Sequence, residues 1–373
     1  MTNTLPSESS GGVDTLDPAS SLLHDPNARH GRLPRLAVPL AAGIALAAGF
    51  LVSLVLGQGI ATAVGIAWVL FVVGFPLWTR AVEGKRAATD HFAGTLMWTA
   101  FVLAMIPLVS LTVTVVVKGA PVITPEFLST DMTGRALLGE GGGIVHAIMG
   151  TILVTVCAAI IAIPIGLFTA IWLVEYGPGT KLASVITFLV DVMTGIPSIV
   201  AGLFALALFK VLLGEELPRI GIGGGLALAL LMVPTVVRSV EEMLKLVPDE
   251  LREASYALGV PKWRTIVKVV LPTAVAGIVT GVTLSIARVA GETAPLLLIL
   301  GTARSVNWNP FDGAVQTLPV FIYQSLSQTS HFKYGEIWED RVWGAAFTLI
   351  FIVMTLNVLA RVVGKVFAPK TGK

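Results

Sequence analysis

Residues 253–272 read EASYALGVPKWRTIVKVVLP, a charged and aromatic stretch broken at Gly259 and Pro261 and set between two long apolar runs. Just upstream, Pro248 and Asp249 supply a helix start, and Leu251, Ala254 and Leu258 fall at i, i+3 and i+7, one apolar stripe. Gly259 suits the left-handed conformation that ends such a helix. Pro261 then sits where the first turn of a new helix tolerates a missing N–H. Beyond it Trp263, Ile266, Val267 and Val270 make a second stripe, with Arg264 and Lys268 on another face. The pattern predicts two short helices set at an angle.

What lies on either side is greasy. The 373 residues are 55% hydrophobic and 13% charged, with a mean hydropathy of +0.85, values foreign to a soluble domain. A bilayer core takes roughly 20 apolar residues per helix. Stretches of that kind lie at 36–57, 60–79, 94–117, 144–174, 185–213, 220–237, 273–300 and 342–363. The expected fold is therefore all-α: a polytopic membrane bundle of about eight transmembrane helices. The sixth span is the weakest, because RIGIGGGLALALLMVP opens with four glycines.

The first 34 residues, rich in Ser, Pro, Asp and Gly, read as a disordered tail without a secretory signal. With that tail in the cytoplasm, Arg80, Lys85, Arg86, Lys181, the 253–272 segment and the C-terminal Arg361, Lys365, Lys370 and Lys373 share its side. This side then carries more than twice as many Lys and Arg as the other, as the positive-inside rule asks. Both termini and residues 366–373 are expected in the cytoplasm, and the longer connections 118–143 and 301–341 outside. The formal net charge of +2 gives no ground for nucleic-acid binding, and the lone Cys157, in an apolar run, is read as packing.

Charges inside the spans need a reason. Arg288 lies well within the seventh span, where a guanidinium costs at least about 2.5 kcal/mol. Gly277, Gly281, Ser285, Arg288 and Glu292 fall on one stripe of that helix. Asp191, Gly195, Ser198 and Gly202 make a similar stripe on the fifth span, interrupted by Pro197. Tight helix packing accounts best for the glycines. For Arg288 two readings stand: a structural pair with Glu292 or Asp191, or a fixed guanidinium offered to an oxyanion, with Glu292 preventing a trap. Arg238 and Glu241, with Glu242 and Lys245 beside them, read almost as well as a solvated salt-bridge ladder.

The chain has no G-x-x-x-x-G-K-[ST] loop, so it does not bind ATP in the Walker manner. Its five histidines are scattered without metal-ligand spacing, and no nucleophile–base constellation stands out. No cofactor, no metal and no covalent chemistry are expected of it.

The 253–272 segment itself allows two readings: an amphipathic connector lying in the headgroups, or a rigid element whose apolar patch enters a groove on a partner. Glu253-Ala254-Ser255 followed by Gly259, Ile266 and Leu271-Pro272 resembles the EAA loop of permease subunits in binding-protein-dependent ABC importers, with Ser255 where the motif has Ala. DVMTGIPSIVAGL from Asp191, VVRSVEEMLKLVPDELREASYALG from Val236 and ARVAGETAPLL from Ala287 extend the likeness to the phosphate-specific branch.

The resemblance implies a six-helix permease core over 144–365, with a cytoplasmic coupling loop at 238–271. Residues 35–118 then hold N-terminal helices outside the usual plan. It implies that Glu253, Ala254, Ser255, Leu258, Gly259 and Pro261 meet the ATPase, and that transport depends on Arg238, Glu241 and Arg288, with Glu292 and Asp191 beside the pathway. The implied partners are a second, similar permease subunit, a cytoplasmic ATPase dimer, an extracytoplasmic phosphate-binding protein, phosphate itself and membrane lipid. The implied location is a bacterial cytoplasmic membrane. Competing readings are the same machine carrying sulfate or molybdate, an ATP-independent channel or carrier, and a membrane enzyme.

Overall fold

A segment immersed in lipid must satisfy every backbone N–H and C=O within itself, and here the apolar runs do so as helices. The computed structural model describes residues 33–34, 36–134, 141–214 and 219–367, and among them there is no strand. Nearly all of the expected N-terminal tail, and residues 368–373, lie outside the described residues. Seven of the described helices are long and apolar enough to cross a membrane. The chain divides into two units, 1–110 and 111–373.

In the first unit, α1 (Ala37–Val55) and α2 (Ile60–Val82) form a hairpin, followed by α3 (Lys85–Gly119), which runs on into the second unit. The Ser53 hydroxyl closes the α1–α2 turn by donating to the Gln58 and Gly59 carbonyls, at 3.2 and 3.1 Å. Gly49 lets the two helices touch: a Cβ there would stand 2.7 Å from that of Ala67. Small residues at the crossing are what lipid-embedded helices use in place of a hydrophobic drive.

The second unit continues with α4 (Pro125–Ser129), α5 (Val145–Ile171), α6 (Lys181–Thr194), α7 (Ser198–Leu213) and α8 (Gly221–Lys245). After these come α9 (Asp249–Ala257), α10 (Lys262–Thr265), α11 (Leu271–Ala290), α12 (Ala294–Ile299), α13 (Leu318–Leu326) and α14 (Gly335–Phe367). The most buried span is α8, whose Leu228, Met232, Val236, Val240 and Leu244 fill the core. Its glycines, which weaken it as a sequence signal, are the packing surface. A Cβ on Gly223, Gly224 or Gly225 would stand 2.9 Å from Ile299, 2.8 Å from Leu300 and 2.6 Å from the Cβ of Cys157, respectively.

Three expectations change. The fifth span is not one helix: α6 and α7 meet at 107°, broken over 195–197. Pro197 lacks the N–H that a continuous helix needs there, so the stripe from Asp191 to Gly202 does not run along one helix. The seventh span begins not at 273 but at Lys262, because α10 passes through a π-turn, Ile266–Val270, straight into α11. That wider turn makes room for Pro272, whose ring would otherwise crowd the Lys268 carbonyl. The second of the two expected short helices is thus the foot of a 29-residue span. Finally, α11 ends at Ala290, so Glu292 lies beyond the helix that carries Arg288.

Candidate functional site: a coupling segment and a charged cavity

The segment that the resemblance marks for coupling starts where α8 ends. Gly259 has φ +74°, the region that favours glycine. The Val260 N–H donates to the Ser255 carbonyl at 3.2 Å and the Gly259 N–H to Tyr256 at 2.9 Å, the paired bonds of a Schellman cap. Leu251, Leu258, Trp263 and Val267 stand exposed, Leu258 at 83%. Glu253, Ala254 and Pro261 are exposed as well. Ser255 differs from its neighbours: it is buried, and its hydroxyl lies 2.8 Å from that of Thr265, tying α9 to α10. The second apolar stripe splits, with Ile266 and Val270 in the core and Trp263 and Val267 facing out.

Arg252, which the sequence reading passed over, fixes the other end of α9. Its Nε and Nη2 donate to Glu175 Oε1 at 3.2 and 2.9 Å. Nη2 also reaches the Leu244 carbonyl at 3.0 Å, and Nη1 reaches the Val247 carbonyl and Asp249 at 2.7 and 3.1 Å. All five N–H groups of the guanidinium are thereby used. Glu175 is 5% exposed and sits on the π-turn Trp172–Tyr176 that ends the α5 span. One buried ion pair therefore joins the ends of α5 and α8 to the coupling helix. The sequence signal was slight: an acid closing an apolar span, and an arginine one turn after Asp249.

The intramembrane charges fall into two groups. In the first, Arg238 donates from Nη2 to Asp191 across the bundle and from Nη1 to Glu241 at 2.8 Å, while Lys245 Nζ donates to Glu241 at 2.7 Å. This network ties α6 to α8, and it goes against the alternative in which Arg288 is a structural partner of Asp191.

The second group lines a cavity of about 220 Å³ at the α6–α7 break, with Thr194, Ser198, Thr235, Arg288 and Glu292 in its wall. Arg288 is exposed to this space and has no ion-pair partner among the described residues. Glu292 shares the cavity without bonding to it. The N-terminus of α7, which has no side-chain cap, opens here at Ser198 and adds the positive end of a helix dipole. A single cation, the Ser198 hydroxyl and a helix N-terminus favour an anion, while the Thr194 and Thr235 hydroxyls donate to the Val190 and Met232 carbonyls, at 2.9 and 2.8 Å, and the Glu292 carboxyl opposes it.

The two groups stand at different levels. Gly281 of α11 meets Ser239 of α8, where a Cβ would lie 2.6 Å away, and Gly277 meets Met243. Arg288 is therefore about two turns, or about 10 Å, further from the coupling end than Arg238. The same contacts bear out packing as the use of these glycines.

Residues 162–373 match the family described as the binding-protein-dependent transport system inner membrane component. The phosphate transport system permease protein PstA 1 of Mycobacterium tuberculosis is 47% identical over 290 residues, covering 77% of this chain and 92% of that protein. The PstA protein of Pasteurella multocida is 38% identical, covering 79% and 97%. In fold alone, the chain is similar to a crystal structure of a bacterial alginate ABC transporter with its alginate-bound periplasmic protein. The TM-score is 0.54 at 12% identity, over 76% of this chain and 97% of that one. With its apolar spans, exposed coupling segment and intramembrane charges accounted for together, the chain belongs to the binding-protein-dependent transport system inner-membrane components, in the branch of the PstA phosphate transport permeases.

Proposed function

We propose that this chain is one of two permease subunits enclosing a path for inorganic phosphate, driven by ATP hydrolysed on a separate subunit. Arg288 carries the oxyanion reading: an intramembrane guanidinium that faces a cavity and spends none of its charge on a carboxylate. Its planar fork offers two parallel N–H donors to a phosphate oxygen pair and stays charged throughout. Glu292 beside it limits how tightly the anion is held, since conduction needs release as well as capture.

Nearer the coupling end, Asp191, Arg238 and Glu241 form the gate. While these charges satisfy one another, α6 and α8 stay together and the path below Arg288 is closed. The exposed apolar face of Leu251, Leu258, Trp263 and Val267 enters a cleft on a PstB-like ATPase dimer. Closure of that dimer displaces α9, and through Arg252 and Ser255 the ends of α5, α8 and α11 follow. A PstC-like permease completes the pathway, and a PstS-like extracytoplasmic protein delivers phosphate. Both termini face the cytoplasm, as the placement of Lys and Arg supports. Residues 35–118 hold three spans, α1, α2 and α3, so a six-helix core takes α3 together with the five passes of 144–365, counting the broken α6–α7 pair as one.

Uptake of labelled phosphate by the reconstituted complex, with excess sulfate or molybdate outside, tests the cargo. Competition by unlabelled phosphate alone is expected; equal competition by sulfate or molybdate would move the assignment to a general oxyanion importer.

A further inference from the structure

A second cavity, of about 460 Å³, lies among residues 302–338 and Met132 and shares no residue with the Arg288 cavity. It sits beyond the far end of α11, whose 20 residues put about 30 Å between it and the coupling segment. No Asp or Glu is among its lining residues. Its side chains are instead donors with protons to spare. Gln324 Oε1 accepts from Gln316 Nε2 at 2.7 Å and from Thr302 Oγ1 at 3.3 Å, which leaves both amide protons of Gln324 unspent. His331 Nδ1 accepts from the Lys333 N–H at 3.3 Å, so its other nitrogen is the donor.

The charge is equally one-sided. Arg304 lines the cavity, is exposed, and has no ion pair among the described residues; only its carbonyl is engaged, by the Met132 N–H at 2.8 Å. Lys333 stands at the rim, its Nζ 5.1 Å from the centre of the Tyr334 ring. In the wall behind, Arg341 is 3% exposed and lies 4.8 Å over the Trp338 ring. Among the described residues, the nearby acids bond elsewhere or do not line the cavity. Asp131 accepts from the Thr133 N–H and hydroxyl at 3.0 and 2.6 Å, bonds that hold its carboxyl below the usual range. Glu339 takes Lys118 at 2.8 Å. Glu336 and Asp340 are exposed and do not line the cavity.

We infer that this cavity is a second oxyanion site, a vestibule that holds phosphate by Arg304 and the Gln324, Gln328 and His331 donors before it reaches Arg288. Its frame is already built, from Phe321, Ser325 and Trp338, all buried, so little ordering opposes binding. Two sites in series, each of modest strength, are what lets an anion be captured and passed on. The vestibule shares its chemistry with the Arg288 reading but none of its residues, so either can fail alone.

The test is equilibrium binding of inorganic phosphate to the assembled complex in nanodiscs, without the binding protein, for the native chain, Arg304→Gln, Arg288→Ala and the double variant. Arg288→Ala is expected to keep one saturable site, and Arg304→Gln in that background to weaken it about tenfold or more. Arg304→Lys should restore part of the loss, and Arg304→Gln alone should raise the phosphate concentration for half-maximal uptake. Loss of all saturable binding in an assembled Arg288→Ala complex would overturn the vestibule, as would unchanged affinity when Arg304→Gln is added to Arg288→Ala. If Arg304→Gln instead weakens only capture of the binding protein, the cavity is a protein-docking surface and the proposal is wrong.

Discussion

Arg238 and Arg288 are guanidiniums in apolar helices of one bundle, about 10 Å apart in level, and what surrounds them is opposite. Arg238 is bonded to Asp191 and Glu241, and Glu241 is bonded again to Lys245. Arg288 faces a cavity with no carboxylate bonded to it. The same contrast recurs at the two ends of the second unit: Arg252 spends every donor at the coupling end, while Arg304 and Lys333 at the other spend none on an acid among the described residues. Paired charges join helices and, in the proposed mechanism, carry displacement. Unpaired ones have charge left for a ligand.

Removing a paired charge should therefore disturb the structure, and the largest such effect belongs to Arg252. Arg252→Ala leaves Glu175 buried without its partner, at a cost of about 3–5 kcal/mol. A lowered thermal midpoint and poor recovery of assembled complex would register it. Arg252→Lys should fall between, since it keeps the charge and loses the fork.

Next is Gly259→Trp, which forces a bulky residue into positive φ at about 1–2 kcal/mol and pushes the end of α9 out of place. The complex should go on hydrolysing ATP while phosphate carried per ATP falls. An unchanged ratio would separate the Gly259 cap from coupling. Gly281→Ala should cost about 1–3 kcal/mol by crowding Ser239, seen as lower thermal stability. The smallest effect is expected from Asp191→Asn: its carboxylate is largely exposed, so the loss is under about 1 kcal/mol. If Asp191→Asn abolished uptake, pairing would not be what separates Arg238 from Arg288.

Much of this architecture was legible in the sequence, because span length and hydropathy are local quantities. The break within 253–272 was legible because Gly259 and Pro261 act through φ and a missing N–H at their own positions. Where reading failed, the deciding partner was remote. Arg252 and Glu175 are 77 residues apart and each resembles a solvated charge until the fold buries them together. Arg238 and Asp191 are 47 apart, and nothing local said which arginine Asp191 would choose. The four glycines opening α8 looked like weak helix and proved to be its packing face, because the large neighbours Ile299 and Leu300 come from a later segment. Helical periodicity placed Glu292 on the Arg288 stripe, but the helix ends two residues earlier.

The most direct test is ATP-driven phosphate uptake by the reconstituted complex carrying Arg288→Ala, with assembly and ATP hydrolysis measured on the same sample. Uptake should be lost while the complex assembles and hydrolyses ATP, because the substitution removes a ligand contact and no structural pair. Native uptake in the assembled variant would contradict the account, and so would failure to assemble with every remaining complex fully active, the behaviour of a purely structural arginine.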